Sequence, residues 1–278
     1  MNFLIAICTE GKRKNIETLI FQIESMILAK YKNVRLGIIL NEDSSIFDLK
    51  KYVIAIESRK GLANVRNKAI LNLRQNENIV FIDDDQLISN NWFEELYKCF
   101  TANQKALVAS NVKYIFQGKP ADTSMWDKKK YNNRVATTNG LLIPSVVLRE
   151  TNIRFNSDFV SIGDDSEFTF RLTKMGIPIK HAELAIIYEI VPESRTSPIE
   201  VFNRKLLAST AYSKIIFLHG TLFEKFYFIS VTLLKIFFYF FTEKIFKREY
   251  KNFEIYVNRF FVFFTFRREA PVDQPLLR

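Results

Sequence analysis

Hydrophobic and polar positions follow two alternating patterns over the first 112 residues. Short apolar runs typical of buried strands are separated by longer segments in which apolar residues recur at helical spacing. The predicted strands cover residues 3–8, 34–40, 52–57, 79–82 and 106–112, and the predicted helices cover residues 14–29, 62–74 and 92–100. Strands and helices in this order predict an α/β fold with a mostly parallel central sheet and flanking helices.

Polar side chains directly follow three of the predicted strands. Thr9 and Glu10 follow the first strand, Asn41 and Glu42 follow the second, and three aspartates follow the fourth. Ligands of open parallel sheets bind outside the carboxyl ends of the strands. We therefore expect these polar groups to share one edge of the sheet.

The three aspartates, Asp83, Asp84 and Asp85, end an apolar segment that otherwise has the pattern of a buried strand. Alternation along a strand would place Asp83 and Asp85 on one side and Asp84 on the other. Mg²⁺ typically takes one or two carboxylates and completes its shell with water and substrate phosphates. The triplet predicts a divalent cation site, and the alternative is a solvated turn after an edge strand.

The regular pattern is interrupted over residues 113–135, a polar stretch that contains Gly118, Pro120 and three consecutive lysines at 128–130. A long insertion of this composition predicts a surface loop. Apolar spacing becomes regular again at residues 141–143.

A second acidic group opens a predicted helix after Gly163. Asp164, with Glu167 three residues later, has the pattern of an N-cap and its capping-box partner. Asp165 is not needed for capping, and Gly163 lets the backbone come close to a ligand. We therefore expect Asp164 to cap the helix and Asp165 to be the functional carboxylate.

Several motifs together resemble a known family. They are the run Gly61-Leu-Ala-Asn-Val-Arg-Asn-Lys-Ala-Ile70, the aspartate triplet, Thr138-Asn139-Gly140, and the segment from Gly163 to Phe168 followed by Arg171. Their order and spacing over residues 3–195 resemble the family 2 glycosyltransferases, which have the GT-A fold. The resemblance implies a catalytic domain at 1–200, with a nucleotide-binding half at 1–112 and an acceptor half at 113–200.

The activity implied by the resemblance is transfer of a hexosyl or related sugar, with inversion, from a nucleoside-diphosphate sugar to an acceptor hydroxyl. A UDP-sugar is the first candidate donor, and a glycan or lipid-linked acceptor in bacterial surface polysaccharide synthesis is the first candidate acceptor. Asp83 and Asp85 would form an Asp-x-Asp motif for Mg²⁺ or Mn²⁺, with Asp85 the direct ligand. Glu189 stands where relatives often carry histidine and would be a further oxygen ligand. Asp165 matches the general base.

The resemblance also implies a set of residues at the nucleotide sugar: Thr9, Glu10, Asn41, Glu42, Arg66, Asp83, Asp84 and Arg195, with Thr138 and Asn139 near the donor sugar. The run Asn41-Glu42-Asp43-Ser44 departs from the usual Asp-Asp-Gly-Ser, so the nucleotide is not specified by it. Ordinary strand-end turns are the alternative for Glu10 and Asp43, and solvated surface charges are the alternative for Arg66 and Arg195.

Composition supports a globular protein, with 48% hydrophobic and 25% charged residues. The two cysteines, Cys8 and Cys99, have neither disulfide-framework nor metal-ligand spacing, which predicts reduced thiols. The first residues lack the basic start of a secretion signal, so we expect a cytoplasmic protein.

Charge and aromatic residues concentrate near the C-terminus. Residues 202–268 contain twelve Lys or Arg against four Glu, and 16 of the 27 phenylalanines. Long apolar runs favour an anionic membrane surface over nucleic acid, whose grooves need scattered stacking rings. The run 226–241 is shorter than the roughly 20 residues of a membrane span and contains Lys235, so we expect interfacial helices in 201–278 on the inner face of the cell membrane. Packing against the catalytic domain or a second subunit is the alternative.

Two other functions stay open at this point. A metal-dependent nucleotidyltransferase would use a similar sheet and acidic ligands, although only Gly11-Lys12-Arg13 stands where its phosphate loop would lie. A non-catalytic membrane partner protein with a degenerate transferase domain is the second alternative.

Overall fold

The computed structural model describes residues 1–10, 15–41, 47–120, 134–159, 162–245 and 251–266. The chain forms two compact units, Met1–Ser197 and Pro198–Arg278, which are called the N-terminal unit and the C-terminal unit below.

The N-terminal unit alternates strands and helices through most of its length. Its strands are β1 Asn2–Thr9, β2 Val34–Asn41, β3 Val53–Glu57, β4 Glu77–Asp83, β5 Gln86–Ile88, β6 Leu107–Phe116, β7 Lys119–Pro120, β8 Leu141–Ile143 and β9 Ile179–Ile190. Its α-helices are α1 Ile16–Ile23, α2 Leu62–Leu71, α3 Trp92–Thr101, α4 Ser145–Thr151 and α5 Asp164–Lys174. A π-helical turn, Glu24–Leu28, continues α1, and short 3₁₀ helices cover Phe47–Tyr52 and Glu193–Thr196.

Within the described residues these strands form one sheet in the order β3-β2-β1-β4-β8-β6-β9-β5, with β7 paired to β6. The first four strands in this order are parallel. Strand β8 is antiparallel to both β4 and β6, β9 is parallel to β6, and β5 is antiparallel to β9. The predicted α/β fold is confirmed, and the sheet is mixed beyond β4.

Strand β1 shows why the sheet is covered on both faces. All its residues after Asn2 are buried, as expected for a central parallel strand. Phe3, Ile5 and Ile7 pack with apolar residues of α1 and α3. Leu4 and its alternate neighbours pack on the other face with residues of α2 and α5. Alternation along one strand therefore supplies both hydrophobic cores.

Strand register brings the predicted rim together. Thr9 is paired with Leu40, next to Asn41, and Cys8 is paired with Asp83. Because β1, β2 and β4 are parallel, the polar residues at their carboxyl ends lie at one edge of the sheet. This edge is called the rim below.

The predicted surface loop at 113–135 is wrong over its first residues. Strand β6 continues through Phe116, and β7 follows at Lys119–Pro120 to form a hairpin with it. The remainder of the predicted loop lies outside the described residues from 121 to 133.

The C-terminal unit contains three helices within the described residues: α6 Pro198–His219, α7 Leu222–Ile245 and α8 Lys251–Thr265. Their shared core includes Ile215, Phe228 and Phe263. The buried carboxylate of Glu243 accepts hydrogen bonds from the backbone N–H groups of Asn252 and Phe253, both at 3.2 Å. These bonds satisfy donors in the first turn of α8 that have no partner within the helix.

One side of α7 is apolar and exposed. Between Leu222 and Phe241, every exposed residue is hydrophobic: Leu222, Phe223, Phe226, Tyr227, Leu233, Leu234, Phe237, Phe238, Phe240 and Phe241. This set is called the α7 aromatic face below. By length and composition alone, Leu222–Glu243 is the single described helix segment that could cross a membrane.

Candidate active site

The rim begins with a contact between two predicted site residues. The hydroxyl of Thr9, at the end of β1, donates a hydrogen bond to a carboxylate oxygen of Asp84. Strand β4 ends at Asp83, and Asp84 and Asp85 form a turn into β5. The strand alternation predicted through Asp85 is therefore wrong, and the carboxylates of Asp83 and Asp85 have different partners.

Asp83 belongs to a buried cluster centred on Arg66. The guanidinium of Arg66, which is 3% exposed, lies 2.5 Å from an oxygen of Asp164 and 3.5 Å from an oxygen of Asp83. Arg66, Asp83 and Asp164 are called the Arg66 cluster below. The interpretation of Arg66 as a solvated surface charge is wrong, since it joins β4 to the start of α5.

An aromatic stack supports this cluster. The Arg66 guanidinium lies over the ring of Phe155 at 5.7 Å, and Phe155 stacks on Phe168 of α5 at 4.1 Å. Asn67, the next residue of α2, exchanges two hydrogen bonds with the backbone of Phe155, of 2.8 and 2.9 Å. The Phe155 ring therefore holds the Arg66 guanidinium in place in addition to its two carboxylate partners, Asp83 and Asp164.

Burial dominates the electrostatics of the Arg66 cluster. It raises the pKa of Asp83 to about 7, although the positive charge of Arg66 acts in the opposite direction. Burial likewise raises the pKa of Asp164 against the effect of Arg66. For Arg66, burial opposes the charge, but Asp164 and Asp83 outweigh it and raise the pKa. A divalent cation at the rim would lower the pKa of Asp83, because positive charge favours the ionised carboxylate.

The predicted capping role of Asp164 is wrong. Gly163, with φ 95°, is the residue before α5, and Asp164 is its first helical residue. Among the described residues, the Asp164 side chain makes no capping hydrogen bond and is paired with Arg66 instead. Glu167 pairs with Arg171 at 2.6 and 2.8 Å rather than closing a capping box.

Asp165 lies next to the Arg66 cluster but keeps one carboxylate oxygen outside it. Its Oδ1 accepts hydrogen bonds from the backbone N–H and the hydroxyl of Ser166, at 2.6 and 3.2 Å. Its Oδ2 accepts no hydrogen bond from the described residues. Burial is the main cause of the raised pKa of Asp83, and the negative charges of Asp85, Glu189 and Asp165 add to it. The two acidic segments therefore lie at one rim.

A second cluster is centred on Arg195, in the short helix that follows β9. One terminal nitrogen of Arg195 lies 3.2 Å from an oxygen of Asp85, and the other lies 3.0 Å from an oxygen of Glu189. Antiparallel pairing of β5 with β9 places Glu189 opposite Gln86, beside Asp85. Asn139 donates to the other oxygen of Glu189 at 3.0 Å. Arg195, Asp85 and Glu189 are called the Arg195 cluster below.

The Arg195 cluster is also where a divalent cation fits best. Asp85 and Glu189 are hard oxygen donors whose side chains already flank a positive charge. No group of three or more His, Cys, Asp or Glu side chains among the described residues could hold a metal ion. Two carboxylates suffice for Mg²⁺ or Mn²⁺ when substrate phosphates and water complete the shell. The fit therefore requires a phosphate-bearing ligand.

The part of the rim at β2 and β3 differs from the predicted nucleotide-binding pattern. Asn41 donates to the backbone carbonyls of Glu57 and Arg59, at 3.0 and 2.8 Å, and accepts from the N–H of Gly61. Its side chain thus holds the connection from β3 to α2. Glu10 lies at the predicted place and is exposed, whereas Glu42 lies outside the described residues.

Sequence reasoning missed Glu57 and Arg59. Glu57 ends β3 at the same rim, and its carboxylate pairs with the Arg59 side chain at 3.0 Å. Hydrogen bonds from Arg59 hold the pKa of Glu57 below its ordinary value. The signal was available, because the predicted strand 52–57 also ends in a polar residue and the strand-end rule was not applied to it.

The turn Thr138-Asn139-Gly140 requires glycine at its last position. Gly140 has φ 68°, and a Cβ atom there would collide with the Ser110 hydroxyl and with Ile187. Glycine therefore allows β8 to begin close to β6. The Thr138 hydroxyl is fully buried and has no hydrogen-bond partner among the described residues.

A known protein family and several solved structures are similar to this chain. Residues 17–151 match the model of the glycosyl transferase family 2. No curated protein matches the sequence. The matched segment contains Arg66, the aspartate triplet and Asn139, and it ends before Asp165, Glu189 and Arg195.

Solved structures share the fold at low sequence identity. TarS 1–349 of S. aureus in complex with UDP-GlcNAc has a TM-score of 0.53 at 15% identity, over 76% of this chain and 66% of that chain. TarS 1–349 with UDP has a TM-score of 0.56 at 13% identity, over 98% and 95%. GalNAc-T7 with UDP, GalNAc and Mn²⁺ has a TM-score of 0.54 at 11% identity, over 77% and 49%.

The coverage varies among these structures, and this chain spans just under two thirds of the first TarS chain and 43% of another. The shared architecture is the GT-A fold. Residues 17–151 are therefore similar to glycosyl transferase family 2, and the chain carries the GT-A fold.

Proposed function

We propose that the protein is an inverting glycosyltransferase that moves a sugar from a nucleoside-diphosphate sugar to an acceptor hydroxyl. The observation that carries this proposal is the Arg66 cluster, because it joins the end of β4 to the first turn of α5. Asp165 and Asp85 are thereby held at one rim, where a donor and an acceptor could meet.

Asp165 is the group that would accept the proton. Its open Oδ2 would take the proton from the acceptor hydroxyl while that oxygen forms a bond to the anomeric carbon. The bond from the anomeric carbon to the diphosphate oxygen breaks at the same time, and the electron pair leaves with the diphosphate. Attack from the face opposite the leaving group inverts the anomeric configuration.

The leaving diphosphate needs positive charge at the other side of the rim. Mg²⁺ or Mn²⁺ held by Asp85 and Glu189 would stabilise the negative charge that develops on the nucleoside diphosphate. Thr9, Glu10 and Arg195 would bind the remainder of the donor. A UDP-sugar is the proposed donor, since TarS and GalNAc-T7 were both solved with UDP.

The test is hydrolysis and transfer with a panel of sugar nucleotides, with and without Mn²⁺. Release of free sugar and nucleoside diphosphate, lost in Asp85→Ala, supports the transferase, and proton NMR of the product's anomeric position tests inversion. Glu150→Gln, which neutralises an exposed carboxylate on α4, is the control for charge. Release of pyrophosphate from a nucleoside triphosphate incubated with a sugar 1-phosphate would instead favour a nucleotidyltransferase, and silence in both assays would favour a non-catalytic partner protein.

The C-terminal unit is proposed to bind the inner face of the cell membrane. The α7 aromatic face contains no charged residue, because Lys235 is turned toward α8, where its ammonium group lies 3.1 Å from the Tyr256 hydroxyl. An exposed apolar surface of this extent is unusual in a monomeric soluble protein. The surplus of basic residues in 202–268 fits an anionic lipid surface.

An interfacial position fits α7 better than a membrane span. The opposite side of α7 packs within the C-terminal unit through Phe228 and carries the buried Glu243. An amphipathic helix, with one apolar side and one more polar side, typically lies in the plane of the membrane–water interface. A protein bound in this way would meet a lipid-linked acceptor at the membrane surface.

Vesicle co-sedimentation tests this proposal with a matched pair of variants. Phe237→Glu lies on the α7 aromatic face and Phe21→Glu lies on α1, and the two phenylalanines are 67% and 68% exposed. Burial of a phenylalanine is worth about 1.5–3 kcal/mol, so Phe237→Glu should weaken binding to anionic vesicles by roughly 10- to 100-fold. Equal effects of both variants would contradict binding through the α7 aromatic face. A lipid-free dimer that is broken only by Phe237→Glu would favour a contact between two copies of the chain.

A further inference from the structure

The Arg195 cluster places a monovalent cation between the two carboxylates that best fit a divalent one. Each terminal nitrogen of Arg195 contacts one of them, Asp85 at 3.2 Å and Glu189 at 3.0 Å. The three side chains are about equally buried, with exposures of 14–16%. The guanidinium therefore lies between its partners and keeps only limited contact with solvent.

A guanidinium and a divalent cation cannot occupy this place together. Mg²⁺ coordinates carboxylate oxygens at about 2.0–2.1 Å and imposes near-octahedral geometry. A cation bound by the oxygens of Asp85 and Glu189 that now face Arg195 would need the space in which the Arg195 nitrogens lie. Binding of the metal at these oxygens must therefore break both Arg195 ion pairs.

The displaced arginine would have a strong anionic partner in the donor. Arginine binds phosphate oxygens through paired N–H donors, with geometry that matches its planar fork. A nucleoside diphosphate supplies phosphate oxygens to both the metal and the arginine. The donor thus gives the displaced guanidinium a new anionic partner, which a metal ion alone cannot do.

We propose that Arg195 makes metal binding depend on the donor: it holds Asp85 and Glu189 before the donor binds, then moves to the diphosphate as the divalent cation takes both carboxylates. Arg195 is therefore a positioning residue: it occupies the two carboxylates of the metal site until the donor binds. The short helix Glu193–Thr196 that carries it follows the last strand of the sheet, β9, and is not itself part of the sheet. This inference rests on the proposed function for its donor.

Linkage gives the proposal a quantitative form. If Mn²⁺ increases UDP affinity by some factor, UDP must increase Mn²⁺ affinity by the same factor, and such factors are typically about 5–150. Competition by Arg195 contributes to that factor. Removal of the guanidinium should therefore tighten Mn²⁺ binding in the absence of nucleotide and reduce the coupling.

The experiment is a Mn²⁺ titration followed by electron paramagnetic resonance of the free ion, without and with UDP. Arg195→Gln should bind Mn²⁺ alone at least about fivefold more tightly than the unmodified protein, with a smaller coupling factor for UDP. Arg149→Gln removes the same charge from an exposed position on α4 and should change neither value. Unchanged or weaker Mn²⁺ binding in Arg195→Gln would overturn the proposal.

Two features keep the outcomes separate. If Arg195→Gln fails to fold by near-ultraviolet circular dichroism, Arg195→Met replaces it, because it also removes the positive charge and should also tighten Mn²⁺ binding. The titration without UDP does not depend on the donor. Absence of sugar transfer therefore counts against the proposed function alone, whereas transfer with unchanged Mn²⁺ affinity counts against the role of Arg195 alone.

Discussion

The two arginine clusters lie at the same rim but differ in what holds them. Arg66 lies on α2, is almost fully buried and connects elements that are 98 residues apart in sequence. Arg195 lies on a one-turn helix at the end of the N-terminal unit and keeps access to solvent. The difference indicates a permanent brace in the first case and an exchangeable contact in the second.

Replacement of Arg66 should have the largest effect. Arg66→Met leaves Asp164 buried without its cationic partner, and loss of one member of a buried ion pair costs about 3–5 kcal/mol. Urea denaturation measures the loss of unfolding free energy. Arg149→Met, an exposed arginine on α4, should change it by less than about 0.5 kcal/mol. A stability loss below about 1 kcal/mol for Arg66→Met would contradict the interpretation of this cluster as a brace.

Replacement of the neighbouring residues Asp164 and Asp165 should affect different properties, stability in the first case and catalysis in the second. Asp165→Asn removes the proposed base and should reduce kcat by roughly 10²- to 10⁴-fold, with little change in unfolding free energy. Asp164→Asn, one residue earlier, should reduce stability because its carboxylate pairs with Arg66. Steady-state kinetics at saturating donor, paired with denaturation of both variants, measures the contrast. If Asp165→Asn keeps activity within tenfold, another group takes the proton.

Much of the rim was predictable because its signals are local. Thr9, Asn41 and Asp83 directly follow buried strands, and parallel pairing brings the ends of such strands together. The role of Asp164 was not predictable, because its local pattern fits an N-cap and its real partner, Arg66, comes from a distant helix. The different positions of Asp83 and Asp85 were not predictable either. Strand β4 ends at Asp83, and the apolar pattern of the sequence does not indicate that end.

Strand β9 was not predicted from the sequence, and its burial pattern explains why. Its buried residues Ile179, Ala182 and Ala185 are three apart, which imitates helical spacing. This spacing follows from an irregularity in the pairing with β6, where the partner of Ser110 is Ala182 and the partner of Asn111 is Ile186. Glu189 gains its place beside Asp85 through this strand, so its geometry could not be predicted without it.

A third ion pair, at the opposite end of the sheet, supplies a comparison away from the rim. Arg35 contacts both oxygens of Glu77 at 2.7 Å. Burial alone would raise the pKa of Glu77, but hydrogen bonds from Arg35 and from the backbone N–H of Arg74 outweigh it and leave the pKa below its ordinary value. The contribution of Glu77 to stability is therefore fully present above its unfolded pKa of about 4.3 and is lost as the pH falls through the lower folded pKa.

Glu77→Gln should consequently cost about 1.5–3 kcal/mol at pH 7, the value of hydrogen bonds to a charged group. The difference from the unmodified protein should shrink as the pH falls below about 4, since both chains then lack the carboxylate charge. Urea denaturation at several pH values measures this dependence. A difference that is constant between pH 7 and pH 3 would show that the charge of Glu77 does not contribute.

The smallest effect on stability is expected at Arg195. Arg195→Gln breaks two ion pairs, but Glu189 keeps its hydrogen bond from Asn139 and both carboxylates keep contact with solvent. Ion pairs that keep contact with solvent contribute about 0.2–1 kcal/mol each, so the loss of both should cost about 0.4–2 kcal/mol. Denaturation of Arg195→Gln beside Arg66→Met measures the contrast directly. A loss at Arg195 as large as that at Arg66 would mean that both clusters brace the fold, and an arginine that braces the fold could not leave its carboxylates when a donor binds.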